Sequence, residues 1–508
     1  MLELIMHGFG SILNLQSLLI MTIGVFIGII FGSVPGLDTA MAVALCLPVT
    51  YAMTPTNGIA MIIALFIGGV SGGLISATLL NIPGTAASFG TCLDGAPMAA
   101  KGEAGKALGI GITASFVGTI ISALALIFIA PLLASFALKF GPVEYFSVAV
   151  FSLTIMSSLA GDSMIKGLIS GLLGCLIATF GTAPIDYVPR FTFGSVNLES
   201  GFSMISVMTG SFAISEILKN IKASREMQNL TTRNGKIKGF GYKWQDLKGQ
   251  GFNFIRSALI GLGIGILPGI GASTSNIVAY GAAKNGSKYP EKFGTGIVDG
   301  IVATETANNA TVGGALIPLL TLGIPGDVGT ALMLGGLMIH GIVPGPLLMQ
   351  TNASLVYTIF AALIFATILM VILEYAGMRV FTRLLTMPKY YIMPAILILC
   401  CVGAYANSNR MFDVRWLVLF GLYGYVLKLF NYPLGPMIIG YIVGPIAEMN
   451  LRRALMLNNN SFLPFITRPL SAFFLLLAAY SIYRVTKKSV RQRKMQNTNL
   501  IDDGQSVG

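Results

Sequence analysis

Apolar runs, interrupted by short polar stretches and by glycine–proline pairs, fill most of the chain. A run that crosses about 30 Å of hydrocarbon as a helix needs roughly 20 residues. Candidate spans fall at 15–31, 58–80, 107–130, 143–159, 166–180 and 202–218. After a polar stretch they resume at 255–267, 296–320, 328–343, 353–380, 391–404, 415–430, 436–446 and 465–483. Several are too short or too rich in glycine to be plain spans and read as half-helices, which gives roughly ten to thirteen crossings. The predicted fold is an all-α polytopic membrane protein, with no room for a sizeable soluble domain between spans. Residues 1–14 lack a basic segment and a small-residue cleavage site, so they read as a short interfacial helix rather than a cleaved leader.

Composition agrees with the pattern. Hydrophobic residues make up 54% of the 508 and charged ones 10%, against roughly 25% charged in soluble proteins. The 61 glycines and 22 prolines suit helices that pack closely and break inside a membrane. The net charge of +12 is concentrated in two places. Residues 219–250 carry eight basic residues against two acidic ones, and 484–508 carry six against two. Basic segments flanking apolar spans follow the positive-inside rule, so both are expected in the cytoplasm, and nucleic-acid binding is not. The five scattered cysteines and two histidines suggest neither a disulfide framework nor a metal cluster.

A search for internal repeats divides the chain. Ile27 to Leu37 contains Val34-Pro35-Gly36, and Ile260 to Ile270 contains Leu267-Pro268-Gly269 at an offset of 233. Gly72-Gly73 leads into Asn81-Ile82-Pro83-Gly84, and Gly313-Gly314 leads into Gly323-Ile324-Pro325-Gly326 at an offset of 242. A polar insertion around 284–292 absorbs the difference. The expected organisation is an N-terminal transmembrane repeat at 1–218, a basic cytoplasmic linker at 219–250, a C-terminal repeat with additional helices at 251–483, and a basic cytoplasmic tail at 484–508. An inverted relation between the repeats is preferred over a parallel one.

Proline removes a backbone donor and glycine admits conformations closed to other residues, so each pair should break its helix. Loose backbone groups survive at membrane depth only where protein, water or ligand satisfies them. Matched breaks in two halves are the best sequence pointer to a transporter's binding site. The expected substrate-binding residues are therefore Ser33, Pro35, Gly36, Asn81, Pro83, Gly84, Thr85, Pro268, Gly269, Gly271, Ser273, Asn276, Pro325 and Gly326. Helix N-termini at the breaks favour anions, and hydroxyl, amide and carboxylate oxygens favour a hard cation. The expected cation ligands are Asp38, Thr39, Glu305, Asn308, Asn309 and Asp327, although Asp38 and Asp327 equally fit N-caps. Glu305, in the run Ala303 to Ala310, stands out because an ionisable residue inside a membrane is costly. The bland alternatives pair it with a lysine from 284–292 or put it at the membrane interface. Glu374, Glu448, Asp413 and Arg415 read as interfacial or fold-stabilising, and His340 as a packed polar residue.

These residues also carry a resemblance. Val34-Pro35-Gly36-Leu37, Asn81 to Thr85, Leu93-Asp94-Gly95-Ala96-Pro97-Met98 and Gly141 to Phe146 resemble the large membrane subunit of the tripartite tricarboxylate transporters, the TctA-type permeases. In the second half the resemblance continues through Leu267 to Gly271, Pro290 to Gly294, Glu305 to Gly314, Leu322 to Asp327 and Val343 to Leu347. It spans about Gly24 to Pro469 and leaves out the tail after Tyr483. The resemblance implies a bacterial inner-membrane permease that works with a small membrane subunit and a periplasmic substrate-binding protein. It implies carboxylates as substrates and a cation gradient, Na+ or H+, as the driving force, with no other cofactor. Asp38 departs from the family pattern, which has threonine or glycine there. An added negative charge lining the cavity would disfavour a polyanion such as citrate. Two other readings remain: an intramembrane aspartyl protease, whose G-x-G-D form neither Asp162 nor Asp327 shows, and a passive anion channel.

Overall fold

The computed structural model describes residues 2–158, 164–223, 241–267, 271–384 and 389–483. Much of the basic linker, the basic tail, Asp162 and the Pro268-Gly269 pair lie outside the described residues. The chain is almost entirely helical and packs as two compact units, 1–138 with 202–426 and 139–201 with 427–508. Five of the described helices are long and apolar enough to cross a membrane: Leu15–Ser33, Pro55–Leu80, Ala86–Ala137, Ala353–Met378 and Leu434–Leu457. Shorter apolar helices include Thr39–Tyr51, Gly251–Ile266 and Val328–Ile339, each beside a Pro-Gly break.

In the first unit, α1 (Leu2–Ile12) leads to α2 (Leu15–Ser33), whose start is capped by the Asn14 side chain accepting from the Ser17 N–H at 2.8 Å. Next come α3 (Thr39–Tyr51), α4 (Pro55–Leu80), α5 (Phe89–Met98) and α6 (Ala104–Ala137). The polar residue Thr54 precedes α4, and Pro55 occupies its first turn, where a missing N–H costs nothing. Every residue of α4 from Asn57 to Leu79 is buried. A helix apolar all round has no wet face to offer, so it becomes the centre of a bundle.

The second unit holds α7 (Pro142–Ser158) and α8 (Met164–Ala178). A two-residue hairpin pairs Gly181 with Arg190 and Thr182 with Pro189. Its charges anchor it: Arg190 meets Glu448 at 2.7 Å, and Arg452 bridges Glu448 and Asp186 at 3.0 Å each. The hydrogen bond from Arg452 holds the Asp186 carboxyl below the usual carboxylate range. Glu448 is thus fold-stabilising, as is Asp413 of the first unit, which pairs with Arg410 at 3.2 Å.

The first unit then continues through α9 (Gly251–Ile266), α10 (Gly271–Asn285), α11 (Val298–Leu322), α12 (Val328–Ile339) and α13 (Ala353–Leu384). Helix α11 repeats the burial of α4, from Gly300 to Thr321. The two buried helices are each joined to a partner by a seam without side chains. A Cβ at Gly28 or Gly32 of α2 would collide with the carbonyls of Leu65 and Gly69 on α4. A Cβ at Gly261 or Gly265 of α9 would collide with those of Ala307 and Thr311 on α11. These contacts are the same pairs shifted by the 233 and 242 positions that separate the motifs. The packing units nevertheless cut differently from the sequence halves, because α6 lies against α11 and α13 lies against α4.

The seam is testable on a single helix. Gly261→Val, which must push α9 off α11, is expected to destabilise the purified protein by about 1–3 kcal/mol. Gly263→Val, where nothing lies within 4 Å of an added Cβ, is expected to leave thermal unfolding in detergent nearly unchanged. Equal losses in the two variants would refute close packing at the seam.

Candidate functional site

The breaks take the shapes their residues dictate. Helix α2 ends as the Val34 N–H donates to Ile30 O, and Gly36 turns the chain with φ +85°. Asp38 starts α3 by accepting from the Thr39 N–H at 2.7 Å. Helix α4 ends at Asn81 in the left-handed region, φ 57° and ψ 31°, and α11 ends at Gly323 with φ 71° and ψ 24°. Both ends run into Ile-Pro-Gly and then into a capping residue. The Thr85 N–H donates to Ser88 Oγ at 3.3 Å, and the Asp327 N–H donates to Thr330 Oγ1 at 2.9 Å. Asp327 Oδ1 accepts in return from the Thr330 N–H at 2.7 Å. Asp38 and Asp327 therefore both act as N-caps. The third break is visible on its flanks, where Leu267 closes α9 and Gly271 opens α10 with φ +67°.

The breaks also come together. Gly84 lies against the Gly32 carbonyl and Gly73, while Gly326 lies against the Gly265 carbonyl and Ala315, at positions related by the same two offsets. A Cβ on Gly271 would sit 3.6 Å from that of Asp327. Across the halves, Gly90 of α5 faces the Asn276 side chain of α10, and α12 packs on α3 and α4. Not every predicted residue is poised for a ligand. Ser33 donates its hydroxyl to its own helix at Ile30 O, 3.0 Å away. Thr39 is buried under Gly69, whereas Gly36, Asp38 and Asn81 are exposed, and Pro83 and Ser273 are half-buried. The buried atoms Thr85 Oγ1 and Asn276 Oδ1 have no hydrogen-bond partner.

A layer of buried polar groups lies where α5, α6 and α11 meet. Glu305 is 0% exposed in the middle of α11. Thr91 of α5 donates to its Oε1, and Ser115 of α6 donates to its Oε2 at 3.2 Å. Asn309 Nδ2 donates to Ser115 Oγ at 2.8 Å and to the Glu305 carbonyl at 3.1 Å. Asn308 Nδ2 donates to Val70 O of α4 at 3.3 Å. The amide oxygens of Asn308 and Asn309 are buried without a partner. Among the described residues Glu305 makes no ion pair, so the lysines of 284–292 do not neutralise it. A buried carboxylate held only by neutral donors is a favourable place for a cation or a proton.

Four partners escaped the sequence reading. Thr91 and Ser115 have no motif and are recognisable only once α5 and α6 are placed. Asp94 caps α11 from the other half: its Oδ1 accepts from the N–H groups of Gly294 at 3.0 Å, Gly296 at 2.7 Å and Ile297 at 3.0 Å. Glu374, which the sequence reads as interfacial or fold-stabilising, is 1% exposed and accepts from Ser71 at 3.1 Å. The membrane-cost argument that singled out Glu305 applies to it equally.

The profile described as the tripartite tricarboxylate transporter TctA family matches residues 18–439. A protein of Agrobacterium vitis, named as an uncharacterized 52.8 kDa protein in the TAR-I ttuC' 3'region, is 33% identical over 490 residues, 96% of each chain. A second protein of that organism, named as uncharacterized in the TAR-II ttuC' 3'region, is 34% identical over 233 residues, covering 46% of this chain and 96% of its own. No solved structure matches at a significant level.

Asp94→Ala leaves three N–H groups at the start of α11 without their acceptor. It is expected to lower stability by about 3 kcal/mol, read from the denaturation midpoint of the purified protein. An unchanged midpoint would show that Asp94 does not hold the two halves together.

Proposed function

The chain belongs to the tripartite tricarboxylate transporter TctA family, and on that premise we propose that it is the large permease subunit of a binding-protein-dependent secondary transporter that imports carboxylates with a cation, Na+ first among them. The observation that carries the reading is Glu305: a wholly buried carboxylate with three neutral donors, two idle amide oxygens beside it in sequence, and no basic partner among the described residues. A hard cation prefers such oxygen ligands, and a site that is charged only when empty senses an ion gradient. Glu305, Asn308 and Asn309 are its ligands in this account.

The substrate takes the breaks. Backbone N–H groups at the turns after Pro35, Pro83, Pro268 and Pro325, with the idle hydroxyl of Thr85, would receive a carboxylate, because helix N-termini carry a positive dipole end. Asp38, exposed at the first break, disfavours a fully ionised tricarboxylate and points to a less charged acid. One break-bearing bundle moving against the rest would alternate access. The family context supports a small membrane subunit and a periplasmic binding protein as partners and the bacterial inner membrane as location, while the basic charge of the linker and tail favours the cytoplasm for both. The protease reading is the less favoured one, since Asp327 caps a helix and Asp162 lies outside the described residues.

The test is carboxylate uptake into vesicles holding the permease, its small subunit and the binding protein. With no pH difference imposed, accumulation is expected under an inward Na+ gradient and not without one. Glu305→Gln is expected to raise the Na+ concentration for half-maximal uptake by about 10-fold or more, the equivalent of a lost charged interaction. Accumulation indifferent to every ion gradient would overturn the coupling, and flux without accumulation would indicate a channel.

A further inference from the structure

We propose that Glu374 is a second coupling group, one that binds a proton rather than a metal ion, and that a cavity at the edge of the first unit is its route to water. The proposal deepens the transporter reading above and rests on it for its consequence, though not for its direct test. Glu374 Oε2 accepts from the Ser71 hydroxyl of α4, and Oε1 is buried with no hydrogen-bond partner. A metal ion needs several oxygens around it, and Glu374 is given one hydroxyl. A proton needs a single oxygen, and Oε1 is unclaimed. Protonating Oε1 turns the carboxylate into a neutral acid whose Oε2 still accepts from Ser71, and an unmade hydrogen bond costs far less than an unmet buried charge.

Among the described residues no cation is set against the Glu374 carboxylate; Lys243 lines the cavity described below, and the Arg379 and Arg383 side chains, further along α13, lie outside the described residues. Helix α13 is packed by α1, α2, α4 and α6. Neither α2 nor α4 contains an ionisable residue. On α1, Glu3 and His7 lie toward the far end of α13, where His7 Nδ1 meets Ser354 at 2.8 Å, about 30 Å along the helix from Glu374. On α6, Lys106 is engaged by Asp246 at 2.8 Å. Tyr375, beside Glu374 on α13, is neutral at physiological pH. Among the described residues the charge that acts on Glu374 is that of Glu305, which makes two simultaneous anions still costlier.

The way in starts at a cavity of about 510 Å³ whose walls include Thr113, Tyr242, Trp244, Val371 and Tyr375. Trp244 stands exposed beside it. Thr113 Oγ1 is hydrogen-bonded to the Tyr242 hydroxyl at 2.8 Å and to the Tyr375 hydroxyl at 2.9 Å. The Tyr375 hydroxyl also donates to Gly109 O at 2.8 Å, and Val371, one turn before Glu374, lines the same cavity. The row of hydroxyls leads from the surface to Tyr375, next to Glu374 on α13. It is a polar path through an otherwise apolar wall.

Two measurements on the full chain decide the matter. In vesicles with its partner proteins and a fixed Na+ gradient, the steady-state accumulation ratio should rise about tenfold per proton carried for each pH unit imposed, acid outside. Glu374→Gln should lose that slope while keeping its dependence on Na+. A slope retained by Glu374→Gln, or absent from the unaltered protein, would overturn the proposal. Independently of transport, the infrared spectrum of the purified carrier at neutral pH should show a protonated-carboxyl stretch that Glu374→Gln removes. Identical spectra would overturn the proposal even if no carboxylate were carried. Failure of uptake with the infrared band present would count against the transporter reading alone.

Discussion

A helix that stops away from water must hand its loose N–H and C=O groups to something else, and the first unit is built around that obligation. Breaks with left-handed exits at Asn81 and Gly323, followed by self-capping turns at Thr85 and Asp327, meet it locally. The chain can then reverse within the bundle and leave hydrogen-bonding capacity at the turns. The same constraint governs side chains. Glu305 tolerates burial because Thr91, Ser115 and Asn309 have been brought to it, and Asp94 crosses from one half to finish the start of α11 in the other.

The glycine seams make this arrangement possible. Only helices without side chains at their contact approach closely enough for Gly84 to rest on the Gly32 carbonyl and Gly326 on that of Gly265. Close backbone contact sets where each break lies relative to its partner helix, and therefore which polar atoms face one another. Two carboxylates then occupy related crossings: Glu305 on α11 faces Ser115 on α6, and Glu374 on α13 faces Ser71 on α4. Under the proposed mechanism, an ion-sensitive acid at each crossing would give the carrier two means of linking its conformation to a gradient. The seams hold both acids in place without adding charge of their own.

Much of this was legible in the chain. The paired Pro-Gly motifs, their two offsets and the cost of Glu305 in an apolar stretch follow from residue chemistry alone, and the double reading of Asp38 and Asp327 as caps or ligands was open from the start. What escaped depends on contacts between distant elements. Asp94 looks like part of a turn motif until the 294–297 backbone is beside it. Thr91 and Ser115 are ordinary hydroxyls until α11 presents an acid to them. Glu374 reads from the sequence as either interfacial or fold-stabilising. Only the packing of α13 against α4 shows that the residue faces inward. The division into packing units was hidden for the same reason: α6 and α13 each leave their own half to cover the buried helix of the other.

The central claim is that the broken ends of two related halves meet inside the bilayer and together enclose a carboxylate with its ion. A density map of the carrier in a lipid nanodisc, with Na+ and a transported carboxylate bound, tests it most directly. The account predicts ligand density between the Gly84–Thr85 and Gly326–Asp327 turns, near the middle of the bilayer, with ion density beside Glu305. Turns lying at headgroup depth, or a carboxylate bound away from all four of them, would contradict it.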